Sequence, residues 1–137
     1  MNASGRRAWA RAMILVGLAY GLIGIVFPAL ADADHVRLWR LAAWVVSAAL
    51  YAAHIGYEHY GLDSAPRATA LHVAGAAALG AFALALAANV HSLFAATHGQ
   101  QSRLLFALVA FPVITALPAF LVALAVAAAL ARLSWRA

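Results

Sequence analysis

The chain has 137 residues, 67% of them hydrophobic and only 9% charged, with a mean hydropathy of +0.92. A soluble domain carries about 25% charged residues, so this chain cannot keep its folded surface in water, and lipid must solvate much of it. Its net charge of +5 comes from nine arginines and no lysine, set singly or in twos at the edges of apolar runs; that pattern marks membrane flanks and excludes a basic nucleic-acid stripe, while the absence of cysteine excludes disulfides, thiolate metal sites and Cys nucleophiles.

A membrane-spanning helix needs about 20 mainly apolar residues, and four segments supply them: 8–30, 36–57, 68–90 and 104–131. The predicted fold is an all-α integral membrane protein, a single four-helix antiparallel bundle. The runs are too long and too rich in Ala and Leu for strands. In the first segment Gly17, Gly21, Gly24 and Pro28 share one face, and Gly17 and Gly21 form the small-xxx-small pattern that lets helices approach closely in lipid. This glycine face is expected to serve internal packing, with dimerisation as the alternative. Residues 6–11, 13–27 and 29–31 also have the pattern of a signal peptide with a cleavage site. The apolar stretch extends back to Ala8, which favours an uncleaved first span.

A short polar turn, Ala31-Asp32-Ala33-Asp34-His35, leads into the second segment. There Arg40, Trp44, Ser47, Tyr51, His54 and Glu58 follow spacings of 4, 3, 4, 3 and 4, one stripe of a helix. Polar groups turned toward hydrocarbon go unsatisfied at several kcal/mol each, so the stripe is expected to face the bundle interior. Gly61 is placed to end this helix in the left-handed conformation, and Asp63 or Ser64 to cap the next, with Pro66 in its first turn.

The third segment offers a seam of His72, Gly75, Leu79, Phe82, Leu86 and Asn89, expected to face the second. After the turn His98-Gly99-Gln100-Gln101-Ser102, the fourth segment carries Pro112 and Pro118 around Thr115. Each proline removes a backbone hydrogen bond, making this pair a candidate hinge. Short connections predict that each helix lies antiparallel beside the next.

Six arginines (Arg6, Arg7, Arg11, Arg67, Arg132, Arg136) fall on one side of the predicted topology and three (Arg37, Arg40, Arg103) on the other. The positive-inside rule then assigns both termini to the cytoplasm, with a bacterial inner membrane as the expected location. Trp9, Tyr57, Tyr60 and Trp135 fall at one interface, Trp39 and Phe94 near the other.

Ionisable side chains inside a membrane are a functional hypothesis by default. His54 and His72 are expected at similar depth on neighbouring helices, with Glu58, the sole glutamate, one turn from His54. One reading is a proton- or cation-handling site, because histidine changes charge near neutral pH, extended outward by Tyr51, Ser47 and Asn89. That function suits a small transporter, working as a homo-oligomer or within a larger membrane complex. A second reading is redox or metal binding: a divalent metal held by His54, His72 and Glu58, or haem b between the histidines, although packed helices about 8–10 Å apart leave little room for a porphyrin. A third is structural, with Glu58 paired to Arg67 and the histidines fixing helix register. On the outer face His35, His91 and His98 can converge beside Asp32 and Asp34.

Enzymatic motifs are missing: there is no Gly-x-Ser-x-Gly, no phosphate-cradling glycine loop and no His-Glu-x-x-His. The architecture resembles small four-helix membrane proteins in general, including the haem-carrying anchor subunits of respiratory complexes. The sequence therefore points to a non-enzymatic membrane component.

Overall fold

The computed structural model describes residues 3–94 and 101–134. Four helices form it: α1 (Ala3–Leu30), α2 (Val36–Gly56), α3 (Pro66–Phe94) and α4 (Gln101–Ser134), with a π-helical segment, Tyr57–Gly61, continuing α2. All four are long and apolar enough to cross a membrane. Their outward faces carry Leu15, Leu22, Leu41, Val109, Ile114 and Leu121, all exposed. So large an apolar surface suits lipid and would aggregate in water.

Helix α3 is the mast of the bundle. In its membrane window 44% of residues are buried, against 11% in each of the other three. The reason is its composition: Ala70, Ala74, Ala76, Gly80, Ala81 and Ala85 are all buried, and small side chains let neighbouring backbones come close where no hydrophobic effect drives helices together. Successive contacts of Met13 with Gly75, Gly17 with Leu79, and Gly21 with Ala83 show that α1 and α3 run parallel. The glycines at 17, 21 and 24 thus lie against α3 within the chain. The end where α1 begins and α4 finishes is called the basal end below.

Helix α4 packs antiparallel along α3. Near the far end, Asn89 Nδ2 donates to the Leu104 carbonyl at 2.7 Å and to the Ala85 carbonyl at 2.8 Å. Asn89 therefore ties α3 to α4. It stands 17 residues from His72, about 25 Å along the axis. Losing the interhelical bond in Asn89→Ala is expected to cost about 1 kcal/mol. Thermal unfolding in detergent reads this directly, and an unchanged midpoint would refute the tie.

Helix α2 departs from expectation. It packs mainly on α1, with Trp39 edge-on to Phe27 at a centroid distance of 5.8 Å, and touches α3 and α4 at few points. The expected α2–α3 seam does not form along the helices. Gly75 and Leu79 face α1, Phe82 and Leu86 stay half exposed, and Asn89 faces α4. Burial along the α2 stripe runs from Trp44, 77% exposed, to Glu58, fully buried. The helix leans outward at the far end and converges on α3 only at the basal end.

The turn between α2 and α3 also differs. Gly61 is not left-handed; Asp63 is, with φ 48°. Helix α3 starts at Pro66, the residue type favoured at a first helical position, and neither Asp63 nor Ser64 caps it. The Ser64 hydroxyl is engaged by Glu58 instead, as described next. The candidate hinge prolines, Pro112 and Pro118, lie inside α4, which remains one helix through both.

Candidate functional site

Glu58 sits in the π-helical turn, where the Leu62 amide bonds to the Tyr57 carbonyl five residues back at 3.2 Å and the Ser64 amide to the Glu58 carbonyl at 3.0 Å. Widened turns of this kind recur at functional sites because they re-aim side chains without ending the helix. Here the chain reverses directly beneath Glu58, so Ser64 and the first turns of α3 close around the carboxylate.

The carboxylate has no exposure. Its Oε2 accepts a hydrogen bond from Ser64 Oγ at 2.8 Å and lies 2.9 Å from His72 Nδ1. Its Oε1 faces His54 Nε2 at 3.8 Å, an electrostatic contact just beyond hydrogen-bond range, and has no hydrogen-bond partner. One glutamate thus stands between two imidazoles, each addressed by a different oxygen. His54 is buried with neither ring nitrogen bonded, and Thr69 Oγ1, one turn before His72 on the same face, is likewise unpaired. Trp9 of α1 stacks flat on His72, with a 4.3 Å centroid distance and 3° between the rings, and its buried Nε1 has no partner. Five buried polar atoms, on Trp9, His54, Glu58 and Thr69, thus have no protein hydrogen-bond partner here.

The structure therefore brings His54, Glu58 and His72 together at the basal end. Tyr51 is one turn away, its hydroxyl donating to the Ala119 carbonyl of α4, and Ser47 lies one turn further. His59 turns aside, edge-on to Tyr60 at 4.6 Å. The pairing of Glu58 with Arg67 is not formed: among the described residues the carboxylates form ion pairs with histidines alone, and Arg67 is exposed. At the end opposite the basal one His35 pairs with Asp32 at 2.8 Å, His91 is exposed, and His98 lies outside the described residues, as do Trp135 and Arg136.

Among the described residues no three His, Asp or Glu side chains are disposed to hold a metal ion. The two imidazoles converge on a carboxylate, where a porphyrin would need open space. A cavity of about 510 Å³ does lie between the helices, beginning at Tyr51, and no histidine lines it.

Sequence reasoning missed Trp9, Ser64 and Thr69. Thr69 had a signal, standing three residues before His72 on the same helix face. Ser64 was assigned to a cap, and Trp9 to the interface. No family model, characterised protein or solved structure matches this chain.

Proposed function

We propose that this small four-span membrane protein handles protons inside the bilayer, with Glu58 as a relay between His72 and His54. It acts as a small oligomeric transporter or as the proton-handling subunit of a larger membrane complex. The observation that carries this reading is the carboxylate bridging two imidazoles, with Oε2 at 2.9 Å from one and Oε1 at 3.8 Å from the other. A side-chain shift of about 1 Å brings His54 within hydrogen-bond range. A proton taken up at His72, the more exposed of the two, then passes through Glu58 to His54.

Two further points support it. Imidazole is the side chain whose charge changes near neutral pH, and ionisable groups buried in a membrane are costly to keep and tend to mark proton or ion pathways. The set lacks the several oxygens that a hard metal cation requires. In this reading the basal end faces the cytoplasm of a bacterial inner membrane, on the strength of six arginines there against three opposite.

Proteoliposomes enclosing a pH-sensitive dye, energised by a potassium diffusion potential, test the proposal. Proton entry above that of empty vesicles is expected. Glu58→Gln should lower it at least tenfold, while Tyr60→Phe, at an exposed position, leaves it unchanged. Equal rates for the parent and Glu58→Gln would refute the relay.

A further inference from the structure

Helix α2 leans away from α3, and the space it leaves is the cavity of about 510 Å³, with walls from all four helices. Ligand sites in proteins commonly span about 300–1,000 Å³, mostly apolar with a few placed polar groups. No charged residue lines this one. An ion or zwitterion entering it would lose its hydration without compensation, so the occupant is neutral.

The polar groups define it further. Four hydroxyl-bearing residues belong to the lining: Tyr20, Ser47, Tyr51 and Thr115. Tyr51 spends its proton on the Ala119 carbonyl and Thr115 on the Phe111 carbonyl. The buried Tyr20 hydroxyl bonds to nothing. A donor left unpaired in a membrane interior costs several kcal/mol, so an acceptor brought by a ligand is strongly favoured there. Gly80 holds Tyr20 in place: α1 crosses α3 so closely that a Cβ at position 80 would stand 2.5 Å from the Tyr20 Cβ. The rim is open to lipid, with Trp44 77% and Phe111 45% exposed. Entry is therefore from the bilayer.

We infer that this cavity binds a neutral, membrane-dissolved molecule whose carbonyl oxygen accepts a hydrogen bond from Tyr20. Two sources share that chemistry, a quinone ring and the acyl ester of a glycerolipid. The inference stands apart from the proton relay, whose histidines line no part of the cavity.

The test uses the full chain in dodecyl maltoside, a detergent without carbonyls, and reads quenching of tryptophan fluorescence. Decylubiquinone is one probe and a dibromostearoyl diacylglycerol the other. Saturable quenching is expected with one of them, and the probe that saturates names the source. Tyr20→Phe should weaken it about tenfold, one hydrogen bond's worth. Ala77→Leu, which fills the cavity from α3, should abolish it. Absence of saturation with both probes, or parental affinity in Tyr20→Phe, which keeps the ring and its packing, would overturn the inference whether or not Ala77→Leu folds.

Discussion

Glu58→Ala is expected to lower stability by about 3–5 kcal/mol, the range for removing one partner from a buried ion pair. The fully buried carboxylate is the acceptor for Ser64 and the partner of His72, so its loss strands both in a place water reaches poorly. His54 and Thr69 already lack partners there, and truncation adds a void. Glu58→Gln keeps the volume and an acceptor oxygen, and should cost only about 1 kcal/mol. Unfolding in mixed micelles followed by circular dichroism measures both. A double-mutant cycle with His72→Ala should give a coupling of about 0.5–3 kcal/mol, the range for residues in one network. Additive losses would mean that the contact seen at 2.9 Å carries no energy. The contrast between the two variants also separates roles: a folded Glu58→Gln protein without proton flux has lost a relay, not a scaffold.

The topology was legible in the sequence because hydrocarbon imposes one requirement, long apolar helices with polar breaks, and the four runs between arginine flanks meet it. The inward turn of His54 and Glu58 was legible for a related reason, since period-3.6 spacing fixes a face and burial in lipid fixes which way it looks. What was not legible is which helices touch. Hydrophobic periodicity carries little about partners when most faces are apolar, so α2 and α3 were expected to share a seam on loop length and on the spacing of His72, Gly75, Leu79, Phe82, Leu86 and Asn89. The buried stripe of Ala and Gly on α3 held the answer, marking it as the helix that two others approach closely. The missing members of the cluster follow from this: Trp9 reaches His72 only because α1 runs parallel to α3 in a register set by Gly17, Gly21 and Gly80. Ser64 was misassigned because a capping serine and one facing a carboxylate look alike in sequence, and the π-helical turn that separates them has no reliable sequence mark.

The three glycines Gly80, Gly24 and Gly56 should respond to alanine in opposite ways, a ranking that tests the α1–α3 contact on which the rest of the bundle hangs. At Gly80 an added Cβ would meet the Tyr20 Cβ at 2.5 Å and the Gly17 carbonyl oxygen at 3.1 Å. Neither atom can swing aside, so α1 must back off from α3, at about 1–3 kcal/mol. At Gly24 the obstacle is Leu84, whose Cδ2 and Cδ1 lie at 2.5 and 2.7 Å. These are the far ends of a flexible side chain, and rotation should hold the loss below about 1 kcal/mol. At Gly56 nothing lies within 4 Å; alanine there removes backbone freedom from a helix without a clash and should stabilise by about 0.5–1 kcal/mol. Melting temperatures in one detergent should therefore rise in the order Gly80→Ala, Gly24→Ala, parent, Gly56→Ala. Oligomeric mass, read by light scattering on the same samples, distinguishes the alternative in which the glycine face joins two chains: a contact inside the chain lets Gly80→Ala melt early at unchanged mass, whereas a contact between chains makes the mass fall with the stability. The same displacement would tilt Tyr20 in the cavity and slide Trp9 along His72, so a single methyl group at the α1–α3 crossing should disturb both sites at once.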